Sequence, residues 1–202
     1  MWIGHVPYEE SNGRLRMLYE RIKAPDGNVD NIMLAHSLRP HSMEGHMALY
    51  KYVLHHAGNT TPKWFLETLG VHVSLMNGCE YCVEHHFSGL RRLLGDDARA
   101  NAIRAELEAG RLTDVFSSPE QAALGYATAL TQAPQQKDEL KSALAAMRAN
   151  GMDDGQILEV NQVVAYFAYA NRTVLGLGVT TDGDILGLSP GNSDDADDWS
   201  HR

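Results

Sequence analysis

The only two cysteines of the chain stand three residues apart, and a histidine follows the second of them by four. They lie in the stretch NGCEYCVEHH, residues 77–86. If a helix begins after the Asn-Gly break, Cys79, Cys82 and His86 share one face of it. Unpaired backbone N–H groups and the helix dipole favour an anion in that first turn, and a nearby histidine favours a thiolate further. The stretch therefore predicts a reactive cysteine pair on a helical scaffold.

The sequence predicts helices for the rest of the chain as well. Apolar residues recur at helical spacing between Gly and Pro breaks, and no alternation typical of hairpin strands occurs. We predict an all-α, single-domain helical bundle over residues 1–191, with an irregular N-terminal arm and a disordered acidic tail over 192–202. The predicted helices cover about 9–23, 29–38, 43–57, 62–75, 79–94, 96–110, 119–131, 140–150 and 154–175. Thr61 is the expected N-cap residue of the fourth helix, and Ser118 with Gln121 forms the expected capping box of the seventh.

Composition limits the classes of partner. The net charge of −9 argues against nucleic acid, which requires a basic surface, and no Lys/Arg cluster suggests an anionic membrane. We find no signal peptide and no apolar run long enough to span a bilayer. The sequence therefore predicts a cytoplasmic protein.

Three other interpretations of the cysteines remain beside redox chemistry. Free cysteines are often small buried hydrophobes. A Cys-x-x-Cys with nearby histidines also offers zinc ligands, although no clean fourth ligand completes the set. A thioredoxin-like site would require a βαβ context, which this helical chain lacks. Redox chemistry is favoured, and no metal or other cofactor is required.

Glu67 stands among apolar residues, one helix before the cysteines. A carboxyl group buried without a permanent cation has a raised pKa, which suits proton transfer near neutrality. His86 shares the cysteine face, and His85 lies a step aside. Most of the remaining histidines of the first half are expected at the surface or at an interface: His36, His41, His46, His55, His56 and His72.

Glu67, Cys79-x-x-Cys82 and His86 together resemble the active-site signature of alkylhydroperoxidase D-like proteins, within the carboxymuconolactone decarboxylase-like superfamily. The stretch 77–86 is similar to the branch called peroxidase-related, and the resemblance extends over roughly residues 31–188, including Asn171. Tyr81 stands where some members carry a second relay histidine, so this chain departs from the pattern there. The resemblance implies a helical bundle that forms homo-oligomers, from dimers to hexamers.

The resemblance also implies thiol-dependent reduction of organic hydroperoxides or hydrogen peroxide. Cys82 is then the peroxidatic thiol and Cys79 resolves it by forming a disulfide, which an external dithiol reduces. Glu67 and His86 move the protons, with Tyr81 and His85 as supporting residues. Two alternatives remain: a decarboxylase-like acid–base enzyme that does not need the cysteines, and a non-enzymatic zinc-binding or redox-sensing module.

Overall fold

The computed structural model describes residues 1–112, 115–190, 195, 198 and 199. These residues form nine α-helices and no β-strand, which confirms the all-α prediction. A 3₁₀ turn precedes the first helix, and a π-helical turn, Lys51–His55, follows the third. The helices are α1 Gly13–Ile22, α2 Asn31–Ala35, α3 Pro40–Tyr50, α4 Lys63–Met76, α5 Glu80–Leu94, α6 Asp97–Glu108, α7 Ser118–Gln132, α8 Lys137–Ala149 and α9 Asp154–Leu177.

The cysteine helix has the ends that the sequence indicates. Cys79 is the N-cap residue of α5, and Gly95 follows its last turn with a φ of 61°. A left-handed residue is favoured at that position, and glycine adopts it without steric cost. Gly78, with a φ of 66°, makes the sharp turn from α4 into α5. The two helices are thus antiparallel neighbours joined by the cysteine motif.

Two predicted helix starts are displaced by one residue. The capping box of α7 uses Ser117 instead of Ser118, and its backbone N–H donates to Glu120 Oε2 at 2.7 Å. Helix α4 begins at Lys63, and Pro62 takes the cap position. The backbone N–H of Thr61 just before it donates 2.8 Å to the Glu159 carboxylate of α9. A distant side chain therefore binds the Thr61 backbone, while the Thr61 hydroxyl, which was expected to cap the helix, has no hydrogen-bond partner among the described residues.

Helix α4 is the centre of the bundle. Every residue from Phe65 to Ser74 is buried, and α4 contacts α5, α6, α7, α9 and the π-helical turn. Such a helix is surrounded by protein on all sides, so its polar residues are buried with the apolar ones. This placement brings Glu67 into the core.

The first half of the chain forms a second apolar cluster, in which Trp199 packs with α1 and α3. The ammonium group of Lys51 is fully buried and donates to the backbone oxygens of Asp195 and Asp198, the latter at 2.7 Å. The Arg21 guanidinium lies 3.8 Å over the Trp199 ring. These three described residues of the predicted acidic tail therefore contact the bundle, while 192–194, 196–197 and 200–202 lie outside the described residues.

Residues 178–190, which we call the strap, run from the end of α9 back across α2 and α5. The Asn31 side-chain amide donates to the backbone oxygens of Thr180 and Asp182, both at 2.9 Å. Gly187 packs against α5, where an added Cβ would lie 2.8 Å from the Ser88 Cβ. The strap thus covers the face of α5 that carries the histidines.

Among the described residues, none of the helices is both long enough and apolar enough to cross a membrane.

Gly70 tests how tightly α4 packs on α9. A Cβ at this position would overlap the Phe167 ring, whereas one at Gly125 of α7 meets nothing within 4 Å. We expect Gly70→Ala to lower the free energy of unfolding by about 1–3 kcal/mol through overpacking. Gly125→Ala is expected to raise it by about 0.5–1 kcal/mol, because alanine favours the helix. Urea denaturation measures both, and equal effects would contradict the close α4–α9 contact.

Candidate active site

Both thiols lie buried in the first turn of α5. Cys79 and Cys82 are free cysteines with 0% and 2% of their surfaces exposed. The Cys79 backbone N–H donates 2.9 Å to the Ser74 oxygen, which ties the start of α5 to the end of α4. The Cys82 thiol hydrogen-bonds the sulfur of Cys79. The structure therefore brings the two predicted sulfurs together in their reduced form.

The pair carries one easily lost proton. The hydrogen bond from the Cys82 thiol lowers the pKa of Cys79 to about 7 against the opposing effect of burial, with help from the Cys82 backbone N–H and Asn171. The same hydrogen bond, burial and the neighbouring Cys79 charge raise the pKa of Cys82 well above its ordinary value. Cys79 is therefore the thiol of the pair that loses its proton more readily.

Asn171 of α9 supports both thiols from the opposite helix. It is fully buried, and its side chain donates 3.0 Å to Ser74 Oγ and accepts a hydrogen bond from Asn77 Nδ2 at 2.9 Å. Its hydrogen bonds to the sulfurs lower the pKa values of both cysteines. The sequence pointed to this residue only through the family resemblance and assigned it no role.

Glu67 and His86 form a buried pair between α4 and α5. His86 Nδ1 lies 2.6 Å from Glu67 Oε2, and His55 Nε2 lies 3.5 Å from the other carboxylate oxygen. Gly89 makes room for the carboxylate, because an added Cβ would lie 3.2 Å from Glu67 Oε1. The sequence did not identify His55 or Gly89 as parts of the site.

The expected rise in the pKa of Glu67 is wrong. Burial does raise the pKa, but the charges and hydrogen bond of His86 and the charge of His55 outweigh burial and lower it. The prediction failed because it assumed a carboxyl group without a cationic partner.

The expected surface location of the histidines is wrong for four of them: His36, His46, His55 and His72 are buried.

Cys82, Glu67 and His86 line one cavity of about 40 Å³. That volume holds roughly two or three water-sized molecules. Tyr50 and Tyr166, stacked with ring centroids 5.7 Å apart, form an aromatic wall. The strap contributes Gly187 and Leu188 to the cavity lining. Cys79 instead lines a separate groove, with Gly78, Glu84 and Arg104 among its neighbours.

Tyr81 and His85 lie on the same cavity but bind a different carboxylate. Tyr81 Oη donates 2.7 Å to Asp184 Oδ2, and His85 Nε2 lies 3.1 Å from the same oxygen. The Asp184 side chain is 1% exposed and also accepts from the Asn31 backbone N–H at 3.0 Å. The sequence missed Asp184 because it lies about a hundred residues from its partners, with no local pattern to mark it.

Asp30 also lines the cavity, just before α2. Burial raises its pKa to about 6, with a smaller rise from the charge of Asp184 and an opposing effect of His85. The cavity thus has acid–base groups on two sides, Glu67 with His86 and the Asp30–Asp184–His85 group.

Within the described residues, no group of three or more His, Cys, Asp or Glu side chains is arranged to hold a metal ion.

No family model matches the chain. An uncharacterized protein of Bacillus subtilis strain 168, YdfG, is 26% identical over 145 residues, which cover 71% of this chain and 91% of YdfG.

Solved structures share the architecture. An alkylhydroperoxidase AhpD core protein of Ralstonia eutropha JMP134, described as peroxidase-related, superposes with a TM-score of 0.73 at 23% identity, covering 87% of this chain and 89% of that one. A peroxidase-related protein of Silicibacter sp. TM1040 gives 0.71 at 20% identity, with coverage of 89% and 88%. The debrominase Bmp8, in complex with 2,3,4-tribromopyrrole, gives 0.64 at 18% identity, with coverage of 83% and 82%. The expected likeness to alkylhydroperoxidase D-like proteins is confirmed for the fold.

The thiol pair is expected to ionise near neutrality. Thiolate absorbance in the ultraviolet should appear with a midpoint at about 7, well below the ordinary thiol value of 9.0. Cys82→Ala removes the hydrogen bond to Cys79 and should move the midpoint upward. Cys79→Ser should show no ionisation near neutrality, because burial still opposes the charge on Cys82. An unchanged titration in Cys82→Ala would contradict the shared proton.

Asp30 is expected to cost stability at neutral pH. Its pKa is about 6 in the folded chain against 3.8 as the ordinary value, so its penalty is absent below 3.8 and complete above 6. Asp30→Asn should therefore raise the free energy of unfolding by roughly 1–3 kcal/mol at about pH 8 and leave it unchanged at about pH 3. Asp26→Asn, at an exposed turn, is the matched control. A gain of equal size at both pH values would contradict the shift.

Proposed function

We propose that the protein is a thiol peroxidase that reduces hydrogen peroxide or organic hydroperoxides through a Cys79–Cys82 disulfide. One observation carries the proposal: a buried imidazole–carboxylate pair, with His86 Nδ1 2.6 Å from Glu67 Oε2, lines the same small cavity as the Cys82 thiol. A thiol beside such a pair can lose its proton as it attacks.

The first step oxidises Cys82. Its proton passes to the His86–Glu67 pair, and the Cys82 sulfur attacks the terminal oxygen of the hydroperoxide. The O–O bond breaks, a sulfenic acid forms on Cys82, and the other oxygen leaves as water or an alcohol once it is protonated. Cys82 has this role because it lines the cavity, whereas Cys79 does not.

The second step forms the disulfide. The Cys79 thiolate attacks the Cys82 sulfenic sulfur, and the sulfenic oxygen leaves as water after taking a proton from His86. Since the pKa of Cys79 is lowered to about 7, a substantial fraction of it is thiolate at neutral pH and available for this attack. An external dithiol then reduces the disulfide by exchange and restores both thiols.

The cavity favours small oxidants. A volume of about 40 Å³ accommodates hydrogen peroxide, while a bulky hydroperoxide requires the strap to move away from α5. We therefore expect hydrogen peroxide to react faster than cumene hydroperoxide.

Dehalogenation is a second candidate, because the Bmp8 debrominase shares the fold and the Tyr50–Tyr166 wall suits an aromatic ring. Against it stands the cavity volume of about 40 Å³, which a brominated ring exceeds.

A decarboxylase-like enzyme would act independently of the thiols, and a zinc or redox-sensing module would show no turnover. Homo-oligomerisation stays a prediction, which sedimentation tests.

The proposal is tested by counting thiols. One equivalent of hydrogen peroxide should remove both thiols of the reduced protein, and turnover should require a dithiol such as dihydrolipoamide. Cys82→Ser should abolish peroxide consumption, and Cys79→Ser should leave a sulfenic acid that dimedone traps. Glu67→Gln should slow the reaction by about 10²-fold or more, since it removes the proton acceptor of His86.

Glu139→Gln, at an exposed position of α8, is the control and should react at the wild-type rate. Survival of both wild-type thiols while peroxide persists would refute the peroxidase. Activity that is insensitive to thiol alkylation would favour the decarboxylase-like alternative, and bound zinc without turnover would favour the binding module.

A further inference from the structure

We propose that His85, held by Asp184 of the strap, is the general acid that protonates the leaving oxygen of the hydroperoxide. This inference rests on the proposed peroxidase function and assigns to a second imidazole the half of the proton chemistry that His86 does not perform.

His85 and His86 lie on either side of the attacking thiol. They follow Cys82 by three and four residues on α5, the two spacings that bring helical side chains into contact about 5–6 Å apart at Cβ. All three residues line the same cavity. The cavity holds only about 40 Å³, so an oxidant that touches the Cys82 sulfur lies within reach of both imidazoles, directly or through one water.

The two imidazoles bind different carboxylates. His86 Nδ1 contacts Glu67 Oε2 at 2.6 Å, whereas His85 Nε2 contacts Asp184 Oδ2 at 3.1 Å. The Tyr81 ring packs against the His85 ring with centroids 4.4 Å apart, and its hydroxyl binds the same Asp184 oxygen. These contacts fix the orientation of the His85 ring.

Two carboxylates face His85, Asp184 of the strap and Asp30 before α2. An imidazolium that donates Nε2–H to Asp184 keeps Nδ1–H for the oxidant. The other titratable groups on the cavity are Cys82, Glu67, His86, Tyr81, Tyr50, Tyr166 and His46.

The reaction needs both a base and an acid. As the S–O bond forms and the O–O bond breaks, the Cys82 proton moves to the Glu67–His86 side, and the departing oxygen takes a proton from His85. Hydroxide and alkoxide are poor leaving groups, so this second transfer lowers the barrier substantially. The proton taken from Cys82 leaves in the water formed in the second step. His85 regains its proton when the external dithiol reduces the disulfide, because the dithiol gives up two protons and only one of them returns to Cys82.

Oxidants with different leaving groups separate this role from a structural one. Hydrogen peroxide expels hydroxide, whereas peracetic acid expels acetate, which needs no proton. In single-turnover thiol loss, His85→Gln should slow the reaction with hydrogen peroxide by about 10²-fold and the reaction with peracetic acid by less than about threefold. An equal loss with both oxidants, or no loss with either, would overturn the assignment.

Further variants guard against an effect on folding. Asp184→Asn should show the same selective loss at smaller size, because it weakens the positioning of His85, while Asp182→Asn at an exposed site two residues earlier should not. His41→Gln, exposed on α3, should match wild type with both oxidants. If the wild-type protein keeps its thiols in hydrogen peroxide, the peroxidase function itself is overturned. If the wild-type protein reacts and His85→Gln reacts equally fast, only the role of His85 is overturned.

Discussion

A carboxylate buried in the central helix is the constraint on which the site depends. Glu67 is 2% exposed in the middle of α4, where an unpaired charge would strongly destabilise the fold. His86 of α5 and His55 of the π-helical turn lie against the carboxylate, and Gly89 leaves the space. Packing α5 against α4 in this register also sets the position of Cys82. Folding of the bundle therefore also positions the groups of the candidate site.

The parts of the structure that follow local rules could be predicted from the sequence. The helical class, the start of α5 at the cysteines and its end before Gly95 depend on periodicity and on residues a few positions apart. Asp184 and Asp30 could not be predicted in this way. Each reaches the cavity from a segment without regular structure, and only the docking of the strap on α2 brings the two together.

Two wrong predictions, the pKa of Glu67 and the cap of α4, have the same cause. The pKa of Glu67 was expected to rise because the sequence shows its apolar neighbours but hides His55 and His86, which contact it only in the folded chain. Thr61 was expected to cap α4, yet its hydroxyl has no hydrogen-bond partner among the described residues and its backbone N–H donates to Glu159 of α9. In both places the decisive contact comes from a distant part of the chain, which the local sequence does not show.

The distribution of charge between the thiols has a consequence for the chemistry. Cys79 has the lowered pKa but lies outside the cavity, while Cys82 lines the cavity and has the raised pKa. A protonated sulfur is a weak nucleophile, so the proposed reaction requires proton transfer from Cys82 in step with the approach of the oxidant. Two imidazoles of the cavity, each bound to its own carboxylate, suit that requirement, because one can accept a proton while the other donates one.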